Sequence, residues 1–510
     1  MISLKDNQPK PQESWNLSAE ENAESLKLLK AVSGVSLNTL RSDDWQKKYG
    51  EFIFFPYDAA EEDLDRDDNF IYKLVGNTDA EQRFQTGNVM GFIGLGDGLQ
   101  VQITSRFDLP IVKKDGTKLY KNYFLHYMLQ KVCNVAVAPQ TASAEDQLLD
   151  FLYYLFPSYL KAACAQGIFR AYVTREYNDA NVRGPIDVAR HIRYNMPFNG
   201  KVAYHTREYT TDNKITQLVR HTIEYIRSLS FGGYILESDT DTRDYVNSIV
   251  VATPTYSKNS RLQVIAQNLH PVTHPYYTAY ENLRKLCLAI LRHEKLSYGD
   301  SDKPIRGILF DGASLWEEYL AKVFEEKQND FPFLTDLLHS NNRTGDNAVH
   351  LFENSKTKYY PDFYCCGELG LQKECARKGF VLDAKYKRLC TVENEETDVS
   401  QDEESESGSP ETVKGVTFHY KREDLFQMLT YMHCLKAQKS ILISPYRDVM
   451  GGKGGVQTPK SPKKALGYGG EISIVAVPIP ACATQWDDFV AKMQNVEKEL
   501  VKKIKAQIEK

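Results

Sequence analysis

The spacing of apolar residues changes repeatedly along this chain, and each change marks an element. Leu26, Leu28, Leu29 and Val32 predict a short helix, and Phe52, Ile53, Phe54 and Phe55 a strand. The acidic stretch from Asp58 to Asp68 reads as a surface loop. From about 88 to 107, alternating apolar residues flank Gly94, Gly96 and Gly98. No helix follows this Gly-x-Gly-x-Gly, so it reads as a β-hairpin and not as a dinucleotide loop. The region 120–170 carries helical periodicity, strands follow at 168–175 and 200–209, and helices resume at 213–230 and 274–294.

A polar, Gly/Asp/Ser-rich stretch from Ser297 to Lys303 marks a domain boundary. Beyond it the pattern predicts a helix (311–327), strands (348–353, 358–366, 379–387), a helix (421–437), strands (440–445, 472–478) and a helix (484–508). This order is that of an α/β domain. Two polar insertions expand it. Residues 391–415 are acidic, Ser-rich and too poor in apolar side chains to offset the entropy of ordering, so disorder is expected there. Residues 450–470 place Lys453, Lys460, Lys463 and Lys464 among Gly and Pro, a flexible loop with charge suited to a phosphate backbone. In the last helix, Trp486, Phe489, Val490, Met493, Leu500, Val501 and Ile504 predict core packing. The expected division is 1–85, unassigned; 86–298, α+β; and 304–510, α/β.

The candidate chemistry lies in the last of these. Tyr360-Pro361-Asp362-Phe363 is followed by Phe380-Val381-Leu382-Asp383-Ala384-Lys385-Tyr386. The two-residue period of a strand puts Asp383 and Lys385 on one face. A carboxylate and an ammonium set into an apolar strand carry a desolvation cost. Metal-dependent phosphodiester chemistry would account for it, with Asp362 and Asp383 holding a cation and Lys385 orienting or deprotonating water. An exposed strand face and an ordinary Pro-Asp turn would account for the same letters. Downstream, Gln427 and Tyr431 lie four apart in the predicted helix and share a face. Upstream, Glu317 sits beside the apolar stripe of Leu315, Trp316, Tyr319, Leu320, Val323 and Phe324, where it can serve as a third acid or as a surface residue.

Helix-Glu317, Pro361-Asp362, Asp383-x-Lys385 and the Gln427-x-x-x-Tyr431 helix together resemble the PD-(D/E)xK nuclease superfamily. Ile308-Leu309-Phe310-Asp311 running into Leu315–Leu320, and Arg422–Met428, look like segments of McrC, the nuclease family of the McrBC modified-cytosine restriction system. So do Gly91–Phe107, Val182-Arg183-Gly184-Pro185-Ile186-Asp187 and Thr211–Val219. Trp316 stands where phenylalanine is more usual, and the first eighty or so residues match nothing placed. The resemblance implies an N-terminal partner-docking domain followed by a restriction-endonuclease-like domain. It further implies Mg²⁺, with Mn²⁺ as a substitute, held by Asp362, Asp383, the Ala384 carbonyl and Glu317. The implied partners are double-stranded DNA and a McrB-like AAA+ GTPase hexamer, with the Gly94–Gly98 hairpin as the expected contact. A stand-alone repair or mobile-element nuclease and a non-catalytic adaptor of the same fold stay open. A neighbouring AAA+ GTPase gene would favour the restriction reading.

Composition changes this picture little. A net charge of −5 neither advertises nor excludes a nucleic-acid cleft, because basic residues can concentrate locally. The nine cysteines follow no metal or iron–sulfur spacing and are expected as reduced thiols. No Gly-x-x-x-x-Gly-Lys-[Ser/Thr] occurs, so the chain is expected to bind no nucleotide itself. A polar start and the lack of a long apolar run lead to the expectation of a cytoplasmic protein without membrane contact.

Overall fold

A computed structural model describes residues 2–12, 23–56, 70–76, 83–96, 99–109, 111–112, 118–119, 122–135, 144–292, 305–341, 345–353, 356–365, 379–392, 411–448, 455–467 and 469–509. The fold is mixed α/β. It comprises two compact units, one built from 1–132 with 296–510 and the other from 133–295.

The first unit holds two large sheets. Strands β1 (Ile2–Lys5), β2 (Gly50–Phe55), β3 (Val89–Leu95), β4 (Leu99–Thr104) and β5 (Ile305–Asp311) form one, in the order β1-β4-β3-β5-β2. The predicted hairpin is present as the antiparallel β3–β4 pair. Every residue of β3 is buried, as its unbroken apolar run requires. Gly94 is therefore interior, while Asp97 and Gly98 of the turn lie outside the described residues. Leu28, Leu29, Val32, Leu37, Leu40 and Trp45 pack against this sheet.

The second unit ends at 295, beside the boundary expected at 297–303, but the chain beyond it rejoins the N-terminal residues. Strand β5 pairs parallel with β2 and antiparallel with β3, so the boundary at 297–303 does not separate it from the N-terminal residues. Nor do residues 1–85 stand apart, since they supply β1 and β2. Pairing between strands some 250 positions apart leaves no local trace in the sequence.

The second sheet runs β6 (Leu338–His339), β7 (Phe363–Cys365), β8 (Gly379–Ala384), β9 (Ala437–Arg447), β11 (Glu471–Ile479) and β10 (Lys463–Lys464) in spatial order. β8, β9 and β11 are mutually parallel. Helices α1 (Tyr123–Cys133), α2 (Gly312–Lys327), α3 (Arg422–Leu435) and α4 (Trp486–Ile508) belong with it. Phe489, Met493, Leu500, Val501 and Ile504 of α4 are buried as predicted. Glu497 of α4 is 1% exposed and accepts hydrogen bonds from Tyr127 (2.8 Å) and Tyr319 (3.0 Å), with Lys131 at 3.2 Å. One satisfied buried carboxylate thus fixes α1, α2 and α4 together.

The strand predicted at 348–353 reduces to a single bridge, Val349 to Tyr359. The insertions also differ from expectation at their margins. Cys390–Val392, Glu411–Val413 and Val416–Phe418 form a small sheet, because Val392, Val416 and Phe418 bury their side chains. The middle, 393–410, lies outside the described residues. In the second insertion, Val456 is buried, Gln457 bridges to Ala476, and Lys463–Lys464 pairs with β11.

The second unit combines an antiparallel ribbon, Ala171–Asp179 with Val202–Thr210, and helices at Ala144–Ala165, Lys214–Arg227, Thr240–Ala252 and Ala279–Arg292. Asn213 caps the Lys214–Arg227 helix in a reciprocal box with Thr216. Among the described residues no helix is long and apolar enough to cross a membrane.

The sheet of β3 and β5 depends on close backbone approach. Gly91 has φ of 149°, and a Cβ there would lie 2.1 Å from the Ile308 carbonyl oxygen. Gly91→Ala is expected to cost about 3 kcal/mol, read as an earlier unfolding transition in calorimetry. Gly233→Ala, with nothing within 4 Å of the added carbon, is expected to leave the transition unmoved.

Candidate active site

Strand β8 brings the acid and the base together. It lies between β7 and β9, and its Phe380, Val381 and Leu382 are at most 1% exposed. Asp383 continues the strand into the same dry interior at 0% exposure. One residue past the strand, the Lys385 N–H still donates to Ile443 (2.9 Å), so the backbone stays in register where the side chain turns back. Lys385 Nζ lies 2.7 Å from Asp383 Oδ2. Asp383 Oδ1 is buried without a hydrogen-bond partner among the described residues.

Asp362 meets this pair from the neighbouring strand. It immediately precedes β7, and its Oδ2 accepts the Ala384 N–H at 2.6 Å. Its carbonyl accepts the Ser340 N–H at 3.0 Å, which fastens the Pro361-Asp362 step to the segment before it. Burial pushes the Asp362 carboxyl well above the usual carboxylate range, and the charges of Asp383 and Glu317 push it the same way. Lys385 and the Ala384 N–H oppose them without prevailing.

Helix α3 supplies the other side. Lys385 Nζ donates to Gln427 Oε1 at 2.9 Å, and Gln427 Nε2 reaches the Tyr431 hydroxyl at 3.5 Å. The four-residue spacing therefore lines up lysine, amide and phenol in a row. Tyr431 is held above the ordinary phenol range, chiefly by burial. For Lys385, burial disfavours the ammonium, but Asp383, Asp362 and the hydrogen bond outweigh it and raise the pKa. The neighbouring carboxylates thus favour the ammonium form of the amine.

Glu317 reaches the site from α2. Asp311 caps this helix through the Ala313 (2.9 Å) and Ser314 (3.4 Å) N–H groups. Trp316, fully buried, donates its indole N–H to Ile443 at 3.2 Å and so sets the rotation of the helix. Glu317 Oε1 is paired with His339 Nε2 at 2.8 Å. The six side chains singled out in the sequence are all brought to this place, and Ala384 joins them through its backbone.

The donor set suits a divalent cation. Two carboxylates carried by adjacent strands act electrostatically on one another, one buried Asp383 oxygen lacks a hydrogen-bond partner, and the charge of Glu317 is felt by Asp362. Among the described residues no three His, Cys, Asp or Glu side chains close into a metal cluster.

Two neighbours of the site carry no signal in the sequence. His339 is isolated among unremarkable residues, and only the β6–β7 pairing shows that it faces Phe363. Tyr386, next to Lys385, reads as a core tyrosine. Its hydroxyl is 2.8 Å from Ser105 Oγ, its ring lies 4.9 Å from the Arg106 guanidinium, and a Cβ on Gly312 would come within 2.6 Å of it. Arg106 is in turn paired with Asp6 at 2.8 Å, both buried.

The McrBC 5-methylcytosine restriction system component family matches residues 84–445. Two similar solved structures come from Thermococcus gammatolerans. One is a refined half-complex from a tetradecameric assembly of McrB AAA+ hexamers with bound McrC, at 15% identity over 97% of this chain and 99% of that chain, with a TM-score of 0.41. The other is a cryo-EM structure of the McrBC complex, at 15% identity over 64% and 87%, with a TM-score of 0.27. No curated protein matches the chain.

The raised Asp362 pKa has a stability consequence. A carboxyl whose folded pKa is raised binds its proton more tightly in the native state. Stability is then greatest below the unfolded value of about 3.9 and falls as pH rises through the folded one. Asp362→Asn is therefore expected to raise the melting temperature at pH 7 in chelator by a few degrees. The gain should shrink toward pH 4, as followed by thermal scans at both pH values.

Proposed function

Because the chain belongs to the McrBC 5-methylcytosine restriction system component family, we propose that it is the nuclease subunit of such a system. In this reading it is an Mg²⁺-dependent endonuclease that hydrolyses DNA phosphodiesters. The observation that carries the proposal is the convergence of Asp362, Asp383 and Lys385, backed by Gln427, within 3 Å hydrogen-bond and ion-pair contacts.

The second sheet, with α2 and α3, would then be the PD-(D/E)xK core, and its strand and helix order supports that assignment. Asp362, Asp383 and the Ala384 carbonyl would hold the metal, with Glu317 available for a second ion or an ordered water. When bound, Mg²⁺ or a substituting Mn²⁺ would supply Lewis-acid polarisation and a more acidic water. Lys385, kept as an ammonium by Asp383, would orient the attacking water and offset charge developing on the phosphate. Gln427 fixes the Lys385 amine, and Tyr431 fixes Gln427.

The chain's GTP dependence would come from a partner. It has no P-loop sequence, so an AAA+ GTPase of the same system would hydrolyse the nucleotide and move the DNA. The Gly94–Gly98 turn is retained as a candidate contact.

The test is plasmid cleavage with Mg²⁺, on methylated and unmethylated DNA, with and without the partner GTPase and GTP. Cutting of methylated DNA in the complete mixture is expected. Asp383→Ala should reduce it by more than the ~10–100-fold typical of changes outside the ligand set. Full cutting by a folded Asp383→Ala chain would sink the site assignment. Cutting without partner or GTP would instead favour the stand-alone nuclease.

A further inference from the structure

We infer that His339 is a positioning residue, which holds Glu317 toward the acidic pair and so sets the affinity of the site for its divalent cation. The inference rests on the reading of Asp362 and Asp383 as metal-holding residues.

His339 is built into the fold through one face of its ring and through its backbone. One face stacks on Phe363 with centroids 4.8 Å apart and planes inclined by 23°. Phe363 is 1% exposed and is itself braced edge-on by Phe324 of α2 at 5.1 Å. The backbone is equally constrained. His339 pairs with Phe363 across β6 and β7, its carbonyl accepts the Asn347 side-chain N–H at 2.8 Å, and the next residue donates to Asp362. The ring therefore has little freedom, and Nε2 is aimed at Glu317 Oε1 at 2.8 Å.

Glu317 needs such a hold. It is one of three carboxylates whose charges act on the same place, and repulsion alone would turn a long, partly exposed side chain out to water. The imidazole fixes Oε1, which leaves Oε2 outside that hydrogen bond, and the charge of Glu317 is felt at Asp362. A hydrogen bond made outside the ligand set that orients an inner carboxylate commonly changes metal affinity by about 10–100-fold. His339 also links Glu317 to the β7 end that carries Asp362, so the third acid and the first move as one body.

The experiment uses the full chain and reads Mn²⁺ binding by calorimetry, with Mg²⁺ dependence of cleavage as a second measure. His339→Leu keeps bulk against Phe363 and removes the hydrogen bond. It should weaken Mn²⁺ binding about 10-fold or more, with a matching rise in the Mg²⁺ needed for half-maximal cutting. His339→Gln, which restores an N–H toward Glu317, should recover most of the affinity. In a Glu317→Gln background, His339→Leu should add little. Unchanged Mn²⁺ affinity in His339→Leu, or a full additional loss in the Glu317→Gln background, would overturn the inference. If His339→Leu fails to fold, His339→Gln with affinity as poor as Glu317→Gln alone would overturn it, and recovered affinity would uphold it. Undiminished binding by Asp383→Asn would instead overturn the metal reading itself, so the two failures are separable.

Discussion

A carboxylate with no exposed surface sits at the end of an otherwise apolar strand, and much of the first unit is arranged around the consequences. Removing an ion from water costs several kcal/mol even after relaxation. Asp383 recovers part of that through Lys385, but one of its oxygens remains unpartnered, and Asp362 beside it is driven toward its protonated form. The result is a centre short of positive charge. Lys385 cannot leave, because Gln427 holds it from the helix side. The imbalance is local and specific, as the proposed cation site would require. The surrounding strands bear it because they are largely buried and paired on both edges.

Much of this centre was legible in the sequence, for reasons of geometry. A spacing of two in a strand and of four in a helix each fix a shared face, so Asp383 with Lys385 and Gln427 with Tyr431 could be paired from their numbers alone. Glu317 was placed on the right helix, while its distance from the pair was not readable, since it depends on the rotation that Trp316 sets. His339 could not be found at all. Its importance comes from strand pairing with Phe363, a contact with no periodic signature. The same applies to β1, β2 and β5, whose partners lie far away in the chain. The acidic insertion was misread at its margins because a few valines and a phenylalanine suffice for a three-strand sheet.

The centre is also continuous with the sheet that carries the hairpin. Tyr386 follows Lys385 directly and is held by Ser105, Arg106 and the backbone start of α2, and Arg106 is held by Asp6. These are buried polar and aromatic contacts, in which a small displacement on one side has few ways to relax. The lysine and the helix bearing Glu317 therefore share one support.

Strand β5 completes the first sheet from the far side of the second unit in the chain. During synthesis, β1 to β4 emerge well before the strand that must lie between β3 and β2. Residues 133–295 are contiguous and emerge in that interval, so they can collapse first, as segments with local contacts tend to do. Until residue 311 is free of the ribosome, two apolar strand edges wait unpaired. The centre takes Glu317 from helix α2, which follows directly on β5, and its other acids from residues made later still. Maturation of the site is thus tied to translation of the last third of the chain, and a chain stopped short of it leaves an open sheet edge prone to pairing with another chain.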